Sequence, residues 1–126
     1  MNYSMNKNGF TGHLPFGELQ ISSNEEYGFR PYQLLVSSLA VCSGGVMRKV
    51  LDKMRMPAED IKVEVQEIVR NEEEADRVEK VHLHFIVTGD ISAEKMPRIL
   101  ELTRKNCSMV QSVKDSIEIT ETFEVR

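Results

Sequence analysis

The chain has no tryptophan, four prolines and only two cysteines among 126 residues. Two thiols, Cys42 and Cys107, cannot supply the disulfide framework that staples small secreted domains. None is needed, because a chain of this length buries roughly two-thirds of the surface its extended form exposes. Basic runs are missing from both halves and the net charge is −4. That excludes a phosphate-tracking surface, and nucleic acid with it. The first ten residues, MNYSMNKNGF, are polar and lead into no apolar segment, so no cleavable leader is expected. The longest uncharged stretch, Pro31 to Met47, has 17 residues and includes three serines and two glycines. A membrane span takes about 20 mostly apolar residues, so this stretch reads as a buried helix. Together these absences predict a cytoplasmic chain without a membrane partner, whose cysteines are thiols or a transient, catalytic disulfide. Cys-x-x-Cys, phosphate-binding glycine loops and Gly-x-Ser-x-Gly are absent as well.

What is present has the size and patterning of a single α+β domain spanning residues 1–126. Residues 1–23 alternate briefly between glycines and prolines, as two or three short strands in a meander do. Residues 23–28 are polar and read as a loop. Pro31 suits a first helical position, and Pro57 follows the predicted end of a central helix over about 31–54. The first half of that helix is apolar nearly all round and the second half is charged, which implies burial followed by emergence. Gly44 and Gly45 within it read as a close helix–helix approach. From Ile61 the apolar period becomes two, giving a strand hairpin over about 61–88 with the acidic tip Asn71–Asp76. A second helix is expected over about 92–107, its regular part beginning near Pro97. Met96, Ile99, Leu100, Thr103 and Cys107 share one of its faces. A last strand over about 116–126 points Ile117, Ile119, Phe123 and Val125 one way and Glu118, Thr120, Thr122 and Glu124 the other.

The residues that carry chemistry are few. Cys42 lies in an apolar helix, where a cysteine is ordinarily a small core residue. Cys107 follows Arg104-Lys105-Asn106, and cations at a helix end can lower a thiol pKa. Sequence spacing alone does not say whether the two meet. His82 and His84 share a strand face but have no carboxylate or thiol at a metal-ligand spacing, so they read as a solvated or packed face with no metal. On residues alone the chain is an α+β domain, with a two-thiol redox protein the sharpest reading and an inert fold the other.

The run Pro31-Tyr32-Gln33-Leu34-Leu35 through Val41-Cys42-Ser43 resembles the signature of the OsmC/Ohr family, in which a proline-led segment opens a central helix carrying a reactive cysteine. Asn106-Cys107-Ser108-Met109-Val110 is similar to the second cysteine motif of that family. Val81-His82-Leu83-His84-Phe85-Ile86-Val87-Thr88-Gly89 is most like its YhfA-like branch. The resemblance covers Pro31 to Val125. It implies an antiparallel sheet wrapping two central helices in an intertwined homodimer. It also implies reduction of organic hydroperoxides, with Cys42 peroxidatic, Cys107 resolving, a dithiol reductant, and no metal or bound cofactor.

Three positions depart from the family pattern. Its peroxidases hold an arginine over the thiolate with a glutamate at the helix start. Here that turn reads Tyr32-Gln33, and residues 1–29 contain no arginine, leaving Arg30 and Arg48 as candidates. Serine follows Cys107 where proline is usual. Tyr32, Gln33 and Arg30 are therefore the candidate supporting residues, and the Cys42 pKa is expected at or above that of a free thiol. A dimer that kept the fold and binds a small ligand without catalysis is the alternative reading.

Overall fold

The computed structural model describes residues 1–126 as β1 (Asn2–Met5), β2 (Phe10–His13), β3 (Glu18–Ile21), α1 (Pro31–Lys53), β4 (Asp60–Asn71), β5 (Arg77–Thr88), α2 (Met96–Asn106), α3 (Ser108–Val113) and β6 (Glu118–Val125). The chain forms two compact units, residues 1–37 and 38–126, with the boundary inside α1.

In the first unit β1, β2 and β3 form an antiparallel meander. A loop then returns the chain so that Phe29 bridges Ile21 just before α1 opens.

In the second unit, α1 buries the stripe Leu39, Ser43, Met47 and Leu51, each with no exposed surface. A four-residue spacing places all four on one helix face, and burying each apolar side chain of this size stabilises the fold by about 1.5–3 kcal/mol. By length and hydropathy this helix could cross a membrane. The stripe and the charges Arg48, Lys49, Asp52 and Lys53 make it a core helix that surfaces at its far end. It stops in a paired cap: Arg55 takes a left-handed conformation (φ 59°). The Met56 N–H then reaches the Leu51 carbonyl at 3.0 Å and the Arg55 N–H that of Asp52 at 3.1 Å. Gly44 serves an approach to a strand, not to another helix. A Cβ there would lie 3.2 Å from Val63 of β4, while Gly45 faces open space.

β4 and β5 form the antiparallel hairpin, with a short 3-10 turn at Glu72–Glu74. Asn71 caps that turn by accepting the Glu73 N–H at 3.0 Å. β6 lies along the other side of β5 but runs parallel to it. The sheet expected to be antiparallel is therefore mixed, because α2 and α3 form a crossover long enough to return the chain in the same direction. Val81, Leu83, Phe85 and Val87 of β5 make the sheet's buried row, with Met96, Ile99, Thr103, Cys107 and Val110 buried on the crossover helices. Pro97 sits in the first turn of α2, where its missing N–H breaks no helical bond.

Candidate active site

The second helix is interrupted at one residue. Cys107 adopts an extended conformation (φ −86°, ψ 109°), closing α2 and opening α3. The interruption is held from both sides. The Arg104 carbonyl accepts the Cys107 N–H at 3.4 Å and the Gln111 side-chain amide at 3.0 Å, and the Cys107 carbonyl accepts the Gln111 N–H at 2.9 Å. The Cys107 side chain has no exposed surface, and the α3 turn that follows carries Ser108 and Met109 past α1.

On α1, Ser43 belongs to the buried stripe and Cys42 precedes it. One residue is 100° of helix rotation, so Cys42 leaves the stripe and is half-buried. The Ser43 hydroxyl donates to Cys107 Sγ at 3.5 Å. The Ser108 hydroxyl lies 3.8 Å from Cys42 Sγ, within the longer reach of a bond to sulfur. Both cysteines are free thiols.

The two thiols titrate in opposite directions. Burial pushes Cys42 up, but bonds from the Met109 N–H, the Cys107 thiol, the Ser108 hydroxyl and the Ser108 N–H outweigh it and leave Cys42 below the ordinary thiol range. Burial likewise pushes Cys107 up. Bonds from the Ser43 hydroxyl and the Val110 N–H lower it, Cys42 raises it, and the balance lies above the ordinary range. Cys42 is thus the more acidic thiol of the pair and Cys107 the less acidic. The expectation that Cys42 sits at or above the free value is overturned. It considered only arginine as a source of stabilisation and left out the N–H and O–H groups that α3 turns toward the sulfur.

The arginine of the basic turn before Cys107 acts elsewhere. Arg104 donates to the Ile119 carbonyl at 2.7 Å and to the Glu121 carboxylate at 3.0 Å, tying α2 to β6 and leaving Cys107 raised, not lowered. Arg48 lines a groove of about 560 Å³ with Val41, Gly44, Gly45, Asp60 and Val63. His82 and His84 both bond the Thr122 hydroxyl, at 2.8 and 2.7 Å, and His84 also reaches Glu124 at 3.2 Å. They form a packed polar row on the sheet face away from the core.

Arg30, Tyr32 and Gln33 lie together in the first unit. The Arg30 guanidinium sits 4.8 Å from the centre of the Tyr32 ring and 4.0 Å from Glu25. Gln33 accepts the Arg30 N–H at 3.0 Å and donates to Glu25 at 3.2 Å. Glu25 thus gives this cluster a carboxylate, where the helix-start turn itself has none. Sequence reasoning missed it because it precedes the helix and lies in a polar loop.

A half-buried thiol beside a buried one, on a mixed sheet packed with helices, defines an α+β two-thiol protein. The OsmC-like protein family model matches residues 23–122, and the chain belongs to that family. Among solved structures, a hypothetical protein from Aquifex aeolicus VF5 superposes with a TM-score of 0.88 at 23% identity, covering 99% of this chain and 93% of its own. An OsmC-like protein from Mycoplasma pneumoniae does so with a TM-score of 0.87 at 14% identity, covering 98% and 94%. The organic hydroperoxide resistance protein OhrB of Bacillus subtilis has a TM-score of 0.70 at 16% identity, covering 98% and 95%. No curated protein sequence matches the chain.

Proposed function

We propose that this protein is a cytoplasmic, thiol-dependent peroxidase that reduces organic hydroperoxides, with Cys42 peroxidatic and Cys107 resolving. One observation carries the reading: the Ser43–Cys107 and Ser108–Cys42 contacts bring the two thiols to one place between α1 and α3, and their acidities are driven apart, Cys42 downward and Cys107 upward. Paired groups whose surroundings separate their pKa values are assigned to different roles. The OsmC-like fold supports it, since relatives of that fold are named for organic hydroperoxide resistance.

The chemistry follows from the geometry. The Cys42 thiolate attacks the distal oxygen of ROOH, an S–O bond forms, the O–O bond breaks, and RO⁻ leaves and takes a proton to become the alcohol. Cys107 then attacks the Cys42 sulfenic sulfur. The S–S bond forms, and hydroxide leaves as water with the proton Cys107 gives up. A dithiol reductant restores both thiols by exchange and ends as its own disulfide. Neither a metal nor a bound cofactor enters these steps.

The working unit is a homodimer. Val41 is 73% exposed on α1 beside the Gly44–Gly45 groove, a surface into which a second copy can seat a helix.

Hydroperoxide consumption with a dithiol reductant tests the activity. Turnover is expected, and Cys42→Ser is expected to abolish it. Turnover no faster than with free dithiol would favour a small-ligand-binding dimer that has lost the chemistry.

A further inference from the structure

The chain contains two Cys-Ser dipeptides, Cys42-Ser43 and Cys107-Ser108, and the fold crosses them. Ser43 follows Cys42 but bonds Cys107, whereas Ser108 follows Cys107 but bonds Cys42. The result is a crossed pair of contacts: the Ser43 hydroxyl donates to the Cys107 sulfur, and the Ser108 hydroxyl meets the Cys42 sulfur. The two serines differ. Ser43 is wholly buried in the α1 stripe, and Ser108 is exposed at the start of α3.

We propose that the crossed serines divide the catalytic cycle between them, Ser108 serving the attack by Cys42 and Ser43 serving the steps in which Cys107 carries the charge. The proposal rests on the peroxidase reading and adds two catalytic residues to it. Each hydroxyl has a single proton, and a hydroxyl donating to a thiolate makes a charge-assisted bond, roughly twice as strong as a neutral one. Ser108 directs both its hydroxyl and its N–H toward Cys42; the family's usual proline has neither donor. When RO⁻ departs, the Ser108 hydroxyl is the exposed O–H beside the reacting sulfur. It passes its proton to the alkoxide and regains one from water.

Ser43 acts on the other half. While Cys42 is a thiolate, its charge holds the proton on Cys107. Oxidation to the neutral sulfenic acid removes that charge, and the Ser43 bond then favours the Cys107 thiolate that must attack. In re-reduction the external dithiol reaches the half-buried Cys42 sulfur and not the buried Cys107. The S–S bond breaks with Cys107 leaving as thiolate, again opposite the Ser43 proton. Stabilising a leaving thiolate speeds exchange.

Two measurements that need no peroxide test this, so the fate of the peroxidase reading does not decide it. The first is the pH profile of Cys42 alkylation by iodoacetamide, read on the Cys42 peptide by mass spectrometry. Ser108→Ala is expected to raise the midpoint by about one pH unit, the size of one charge-assisted bond, and Ser108→Thr to restore it. Ser43→Ala is expected to leave it in place. The second is the rate at which dithiothreitol reduces the Cys42–Cys107 disulfide formed with diamide. Ser43→Ala is expected to slow it about fivefold or more, with Ser108→Ala close to wild type. An unmoved midpoint in Ser108→Ala, or an unchanged reduction rate in Ser43→Ala, would overturn the division of roles. If both shifts appear but no hydroperoxide is consumed, the crossed serines stand and the peroxidase reading fails.

Discussion

Glu121 occupies a position on β6 where alternation calls for an apolar side chain. Its register partner is Leu83, in the buried row, and its own side chain is 7% exposed. One oxygen accepts from Arg104 and the other has no partner. Burial raises its pKa, and the Arg104 bond and charge only partly offset this. A carboxyl whose folded pKa lies above its unfolded value binds more protons in the folded chain. Its contribution to stability is therefore greatest below the unfolded pKa and is lost as pH rises through the folded pKa. Glu121→Gln, fixed in the neutral form, is expected to gain in melting temperature relative to wild type as pH goes from 4 to 7. A constant or shrinking difference over that range would show that the Arg104 pair outweighs the desolvation. The strand pattern revealed the apolar residues around Glu121 but passed over the one carboxylate among them, because a period of two identifies a face and not its exceptions. The same limit applied at the thiols. Both cysteines were legible as candidates, but what sets their acidity is burial together with three backbone N–H groups of α3 and two serines brought from 64 and 66 positions away, a combination no local pattern encodes.

At the scale of elements, the helices and strands follow their periodicities closely, and the misses have identifiable causes. A bulge between Val65 and Glu67 breaks the β4 alternation beyond Val65, whereas Val65 itself stays opposite Leu83 and is exposed all the same. The parallel setting of β6 depends on the crossover's path in three dimensions. The second helix is expected to end at Cys107, and α3 beyond it goes unforeseen because six residues are too few for a helical period to show. The α1 stripe is the element on which the site most depends, since Ser43 lies within it and Cys42 beside it. Leu39→Ala is expected to destabilise the protein by about 2–5 kcal/mol in urea unfolding, the range for truncating a buried leucine. A loss under about 1 kcal/mol would mean the stripe can collapse around the cavity.

For the whole molecule, the surface that stands out is the outer side of α1, where Val41 and the open Gly45 flank the groove. If a second copy seats there, light scattering at micromolar concentration reads twice the 14.4 kDa of one chain. Val41→Glu, which puts a charge into that contact, shifts the mass toward one chain. A monomer mass for the unsubstituted protein would remove the dimer from the reading.

The interruption at Cys107 has a consequence beyond chemistry. A bridge from Cys42 to Cys107 closes a loop of about 65 residues and withdraws roughly 4 kcal/mol of disorder from the unfolded chain. That is a large share of the stability an ordinary domain possesses. The peroxide-treated form would be the harder one to unravel, and the reduced, ready form the more easily opened to proteolysis. Oxidant exposure would then lengthen the life of each molecule as well as occupy its thiols.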